Sequence, residues 1–283
     1  MPQRAFRSFH PSKATVLGVA CGIVTALLSA CRPDVDPDLG SRPEASDLAV
    51  ELAAYTAGIE RAKGVINLAA QTPDEVLPTS EHGVAFARPD MVYIESYGAL
   101  GEILSLTRTA DGDLAVFFPG DNLWAAGAAT AENVAKLVGA PLEIGLLARA
   151  LLAEPLADVV DYPGSVRYVG ETGDDLTRLA FRRPDGSRHL LITLDGAAPV
   201  PREQQLYDAT GEPVLLVMYS DYSEIDGVLR PEVVTLDDLK GSVVTVEFVE
   251  QELNPELPSA VFDLAPPPDV RVVDLDAYEP STE

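Results

Sequence analysis

The chain has 283 residues, with 45 Asp and Glu against 20 Lys and Arg and a formal net charge of −25. Charge of that sign and size excludes electrostatic attraction to nucleic acid, or to an anionic membrane surface, as the main mode of binding. The length admits one large domain or two small ones, and the two cysteines, Cys21 and Cys31, are too few for a disulfide framework.

The first element is a basic start, Arg4, Arg7 and Lys13, followed by the apolar run Ala14 to Leu28. That run is shorter than the ~20 apolar residues that span a bilayer comfortably. Residues 1–30 therefore read as a secretory signal peptide. The sequence Leu28-Ser29-Ala30-Cys31 resembles the lipobox of bacterial lipoproteins. The resemblance implies cleavage before Cys31 and lipid attachment at its thiol, an anchor that several acyl chains make essentially permanent. An ordinary cleavage site with an incidental cysteine, or an uncleaved anchor, is the competing reading. Arg32 stands where inner-membrane retention would want Asp, which favours the outer membrane with the body facing the periplasm. Processing would remove Arg4, Arg7 and Lys13 and no acid, taking the net charge from −25 to −28.

Residues 31–45 follow as a tether, in which Pro33, Pro37 and Pro43 with four acidic residues prevent collapse. Ser46 reads as an N-cap. Leu48, Leu52, Tyr55 and Ile59 recur at helical spacing, predicting an amphipathic helix from Asp47 to about Arg61. From Gly64 the period changes to two, and turn signals such as Asp111-Gly112, Pro184-Asp185-Gly186 and Asp195-Gly196 separate ten or eleven short apolar runs. Glu102 to Thr109 offers Leu104 and Leu106 on one face, and Asp113 to Phe118 offers Leu114, Val116 and Phe118. Leu190, Ile192 and Leu194 alternate in the same way, as do Val244, Val246 and Phe248. This pattern predicts an antiparallel sheet with one apolar face. One helical block, Ala131 to Ala153, interrupts it, with Val134, Leu137, Leu142, Leu146, Leu147 and Leu151 expected to face that sheet as its cover.

Chemistry-bearing motifs are scarce. Beyond residue 30 only His82 and His189 remain as histidines, and no HExxH, cysteine ligand set, phosphate loop or GxSxG occurs. The acid pairs Asp174-Asp175 and Asp237-Asp238 sit in turn contexts and read as solvated loop charge. The expectation is a protein that is not an enzyme, with no metal and no cofactor.

Two stretches carry a family resemblance. Pro89 to Pro155 runs strand, short loop ending Leu100-Gly101, hairpin, then helices around Gly139-Ala140-Pro141. Asp226 to Leu275 has a Gly-x-x-x-Pro turn into paired strands and a closing Phe-x-Leu-x-Pro-Pro. With the lipobox, these resemble the LolA/LolB-like lipoprotein-sorting superfamily, most of all the outer-membrane acceptor LolB. The resemblance implies a mainly β (α+β) fold: a strongly curved antiparallel half-barrel of about eleven strands under a helical lid, occupying residues 46–275 with a tail at 276–283. It implies an apolar cavity for acyl chains, lined by Leu104, Leu106, Val116, Phe118, Leu190, Ile192, Leu194, Val244, Val246 and Phe248, under the lid leucines named above. It also implies a membrane-inserting loop at Leu100-Gly101. The partners it implies are an acylated protein or lipid, a periplasmic LolA-like carrier and the membrane. The competing reading keeps the fold as a scaffold subunit of an envelope assembly. The chain departs from the bacterial acceptor in its length, in its C-terminal extension past Phe262 and in having a single Trp.

Overall fold

A computed structural model describes residues 43–138, 143–157, 166–168, 176–195 and 200–278. Helix α1, Pro43–Ala57, opens it. Proline, with its fixed φ and missing donor, is suited to a first helical turn. The helix starts four residues earlier than its apolar period predicts, so Ser46 lies inside it and is not its N-cap, and it stops four residues earlier because Gly58 breaks it and Arg61 already belongs to a strand. Its buried stripe is Ala45, Ala49, Leu52 and Thr56.

Six strands follow in hairpin succession: β1 Arg61–Gln71, β2 Val76–Ala87, β3 Met91–Tyr97, β4 Ile103–Ala110, β5 Asp113–Phe118 and β6 Leu123–Ala128. Helices α2, Ala131–Val138, and α3, Ile144–Leu151, come next. A second run completes the chain: β7 Val166–Tyr168, β8 Leu176–Arg182, β9 Arg188–Asp195, β10 Pro201–Tyr207, β11 Pro213–Ile225, β12 Val228–Asp237, β13 Val243–Leu253 and β14 Arg271–Asp274.

The fourteen strands of the described residues form one sheet in the order β14-β6-β5-β4-β3-β2-β1-β13-β12-β11-β10-β9-β8-β7. Two meanders therefore meet at a central seam, β1 against β13. Thirteen strands are antiparallel, and β14 adds parallel to β6 at one edge. The sheet is curved and open, not a closed barrel. Register shifts at Val65/Ile66 and at Leu68/Ala70 place bulges on both sides of β1, and an extra residue on one strand bends and twists a ladder. The expected fold class holds. Two of the strands beyond those expected are short edge pieces, β7 with three residues and β14 with four, too brief to show a period.

Alternation divides the sheet cleanly. The inner face carries Ile66, Val84, Phe86, Val92, Leu114, Val116, Leu179, Phe181, Leu190, Ile192, Leu194, Val217, Val234 and Val246, all buried in one cluster with Leu52 of α1 and Ile144, Ala148 and Leu151 of α3. On the outer face of β3 to β6, Trp124 and Ala115 are buried too, and Phe117 meets Trp124 with ring centroids 6.3 Å apart. The C-terminal segment crosses this region, its 3-10 turn Ser259–Phe262 packing on β3 and β4.

Candidate functional site

The inner face is the candidate site, and its residues fall into a buried half and a half-open half. Toward the end where β2 turns into β3, the inward positions Val84, Phe86, Val92 and Thr109 are buried. Toward the opposite end, the inward positions Leu68, Ser80, His82, Ser96, Ser105 and Thr107 are only partly covered. Helices α1 and α3 fill the buried half. Val116, Leu190, Ile192, Leu194 and Val246 are each 3% exposed or less, with Phe118, Val244 and Phe248 packed against them.

The sequence reading of β4 needs correction. Leu106 pairs across the ladder with Glu95 and Phe117, whose side is the outer face, and Leu104 shares its parity. Both leucines therefore point away from the inner face. The inward positions of β4 are Ser105, Thr107 and Thr109, and Leu106 lies on the side crossed by the C-terminal segment, so apolarity alone misassigned the face.

Among the lid leucines, Leu151 is buried and Leu146 and Leu147 are partly so, but Ile144 and Ala148 complete the inward stripe of α3 at i, i+4, i+7. Leu142, the Gly139-Ala140-Pro141 hinge, the side chain of Leu137 and the attachment residue Cys31 lie outside the described residues.

What fastens the helices is polar, and sequence reasoning missed it. Arg230 on β12 is 1% exposed and donates through Nη2 to Leu151 O at 2.8 Å and through Nη1 to Leu152 O, capping the C-terminal carbonyls of α3. Gln204 on β10, fully buried, donates to Glu154 O at 2.8 Å and to Tyr219 Oη at 3.0 Å, while its Oε1 accepts from Leu156 N at 3.0 Å. Arg88 caps α1 in the same manner, with Nε to Ile59 O at 2.7 Å and Nη2 to Thr56 O at 2.9 Å, and its Nη2 lies 2.6 Å from Glu154 Oε1. Burial lowers the Arg230 pKa from its ordinary value, opposed by the Tyr55, Tyr222, Tyr219 and Glu154 side chains around it. Burial raises the Glu154 carboxyl, opposed first by Arg88. A hollow at this junction, lined by Phe86, Arg88, Ala148, Arg149, Leu152 and Glu154 among others, has a volume of about 10 Å³. That is about the space one water requires.

At the other end of the sheet stands the β3–β4 turn. Gly98 N donates to Glu102 O at 2.8 Å, Gly101 N to Gly98 O at 2.9 Å and Leu100 N to Glu102 Oε2 at 3.0 Å. Gly101 has φ of 79°, and a Cβ on Gly98 would meet the Glu102 carboxylate at 2.4 Å. The tight turn leaves Leu100 94% exposed. The neighbouring β1–β2 and β12–β13 turns lie at the same end, Gly241 approaching Pro73, and they add exposed Val76, Leu77 and Leu239. No helix of the described residues is long and apolar enough to cross a membrane. Among those residues no group of three or more His, Cys, Asp or Glu is placed to hold a metal ion.

No protein-family model and no curated protein matches the chain. Solved structures do. A DUF1329 family protein from Desulfovibrio piger superposes with a TM-score of 0.55 at 16% identity, over 78% of this chain and 96% of that one. A LolA superfamily protein from Nitrosomonas europaea superposes with a TM-score of 0.51 at 16% identity, over 76% of this chain and 97% of that one. At such identity the likeness shows the fold alone: this chain shares its curved antiparallel sheet with these two proteins.

Proposed function

We propose that this chain is an outer-membrane lipoprotein, anchored through Cys31, that binds acyl chains against its inner sheet face and accepts or passes on lipids or acylated proteins. The observation that carries the reading is the construction of the lid. Helices α1 and α3 cover a large apolar face, and a few polar side chains, chiefly Arg230, Gln204 and Arg88, fasten them and the segment after α3. An acyl chain that lifts α3 would replace the contacts of Ile144, Ala148 and Leu151 with its own methylenes, each contributing ~0.8 kcal/mol on burial. The shared fold of a LolA superfamily protein and the lipobox-like Leu28-Ser29-Ala30-Cys31 support the same reading. The rigid turn that projects Leu100 supports delivery of cargo to a bilayer, and a periplasmic carrier of the same fold would supply it.

A second reading has an observation of its own. The inner face is filled, with Ile192, Leu190 and Val217 completely buried, as a permanent core would be. On that reading the chain is a scaffold or interaction subunit of an envelope assembly. Native mass spectrometry of the purified protein separates the two. Acyl-bearing adducts released by organic extraction support lipid handling; a ligand-free protein held in a stoichiometric protein complex supports the scaffold.

A further inference from the structure

The half-open end of the inner face is not uniformly apolar. His82 of β2 has both ring nitrogens engaged: Nε2 lies 2.8 Å from Ser80 Oγ and Nδ1 lies 3.0 Å from Ser96 Oγ of β3. Ser105 pairs across the ladder with Ser96, and Thr107 with Ile94, so hydroxyls continue the patch onto β4. Below it on the same face are Val84, Phe86 and Val92, leading under the helices. Beyond it, at the same end of the sheet, is the turn carrying Leu100.

The proton count of this triad fixes what it can offer. Partial burial lowers the His82 pKa from its ordinary value, so the ring is neutral at pH 7 and bears one proton. One nitrogen then donates to a serine oxygen and the other accepts a serine hydroxyl hydrogen, in either tautomer. The serine that accepts from the ring keeps its own O–H free to donate outward. The other uses its O–H on the ring and presents only lone pairs. The inward positions of β2, β3 and β4 hold no Arg or Lys. A hydroxyl donor beside apolar neighbours, without a cation, suits an uncharged acceptor better than a carboxylate or a phosphate.

We propose that Ser80, His82 and Ser96 form a subsite for the ester or amide carbonyl oxygen of an acylated ligand, at the point where the acyl chain joins its head. The inference rests on the acyl-binding reading above and adds its polarity and direction. The chain runs from the triad toward the lid helices, and the head sits at the open end near Leu100.

The experiment compares 1-monopalmitoylglycerol with 1-O-hexadecylglycerol, which has the same chain length and glycerol head but an ether in place of the ester. Binding of each to the purified protein is measured by titration calorimetry, with the Ser80→Ala/Ser96→Ala double variant alongside. The wild type should prefer the ester by about three- to tenfold, the range of one net hydrogen bond. The double variant should lose that preference and bind the ether as the wild type does. Equal wild-type affinity for ester and ether overturns the subsite, as does a double variant that keeps the full preference. A double variant weakened equally for both ligands also overturns it, because the hydroxyls would then be shaping the face without reading the carbonyl. Failure of the wild type to bind either ligand refutes acyl binding itself, and the subsite with it.

Discussion

Replacing Arg230 with Met tests whether the lid is fastened chiefly by its polar caps. Methionine keeps most of the apolar stem but leaves the Leu151 and Leu152 carbonyls without their donors, in a site where the arginine is 1% exposed. Hydrogen bonds to a charged donor contribute about 1.5 to 3 kcal/mol each. Relief of the buried guanidinium's desolvation returns several kcal/mol of that loss. The net effect expected is about 2 kcal/mol against lid closure, roughly thirtyfold in the open population. Because the lost bonds sit at the end of α3, the effect should be local. Hydrogen exchange should accelerate by about that factor at the amides of Leu152, Ala153 and Glu154, which now donate to Ala148 O, Ala150 O and Arg149 O. The amides of Tyr219 and Val234 in the sheet should stay protected. Uptake of a fluorescent fatty acid should become faster. Unchanged exchange at residues 152–154, or equal acceleration of the β11–β12 ladder, would refute the idea that Arg230 is a lid fastener distinct from the general core.

Leu100→Glu should leave melting temperature and ligand uptake unchanged while slowing release of cargo into liposomes, since the side chain is 94% exposed and forgoes up to ~1.5 to 3 kcal/mol of burial in lipid; normal release would remove the insertion role. Gly127→Ala places a Cβ 2.9 Å from Leu275 Cβ and 3.0 Å from Asp276 Oδ1, so β14 should loosen by about 1 to 3 kcal/mol and the C-terminal segment should be cut faster in limited proteolysis. Gly120→Ala, which meets nothing within 4 Å, serves as the control, and equal cleavage of the two variants would contradict the packing argument. Cys31→Ala should release the protein from membranes washed with high salt and carbonate; retention would show an anchor other than the lipid.

The antiparallel sheet was legible because period-two alternation survives wherever only one face is buried. The run Asp113–Phe118 is a strand with the bounds its alternation predicts, and Leu190, Ile192 and Leu194 all face inward. The signal fails on β4, where the outer face beside Leu106 is also covered, by a segment more than 150 residues away: Arg108 Nη1 donates to Asp263 O across a separation of 155 residues. The helix fasteners were not legible at all. Nothing in "DGVLRPEVV" marks Arg230 as the partner of carbonyls some 78 residues earlier, because a buried arginine and a solvated one read alike until the chain is folded. The triad at His82 escaped for a related reason. Ser80 and His82 are two residues apart, but Ser96 joins them only through the register of β2 with β3.

The seam between β1 and β13 has a consequence for how the protein avoids pairing with the wrong strand. Each meander can assemble from local hairpins, whereas the seam joins Ala62 to Leu253 and must wait for the closure of a long loop. Until then both strands are bare edges, the kind that recruit other chains. Their outward charges have opposite signs: β1 carries Arg61 and Lys63, and β13 carries Glu247, Glu250 and Glu252. Two unjoined β13 edges repel each other, while β1 attracts β13, and in the finished sheet Lys63 meets Glu252 at 2.7 Å. Gly64 adds a steric condition, because a Cβ there would overlap the Glu250 carbonyl at 2.1 Å. The seam thus selects its own partner by charge and by shape during the interval when a wrong strand would be most able to bind.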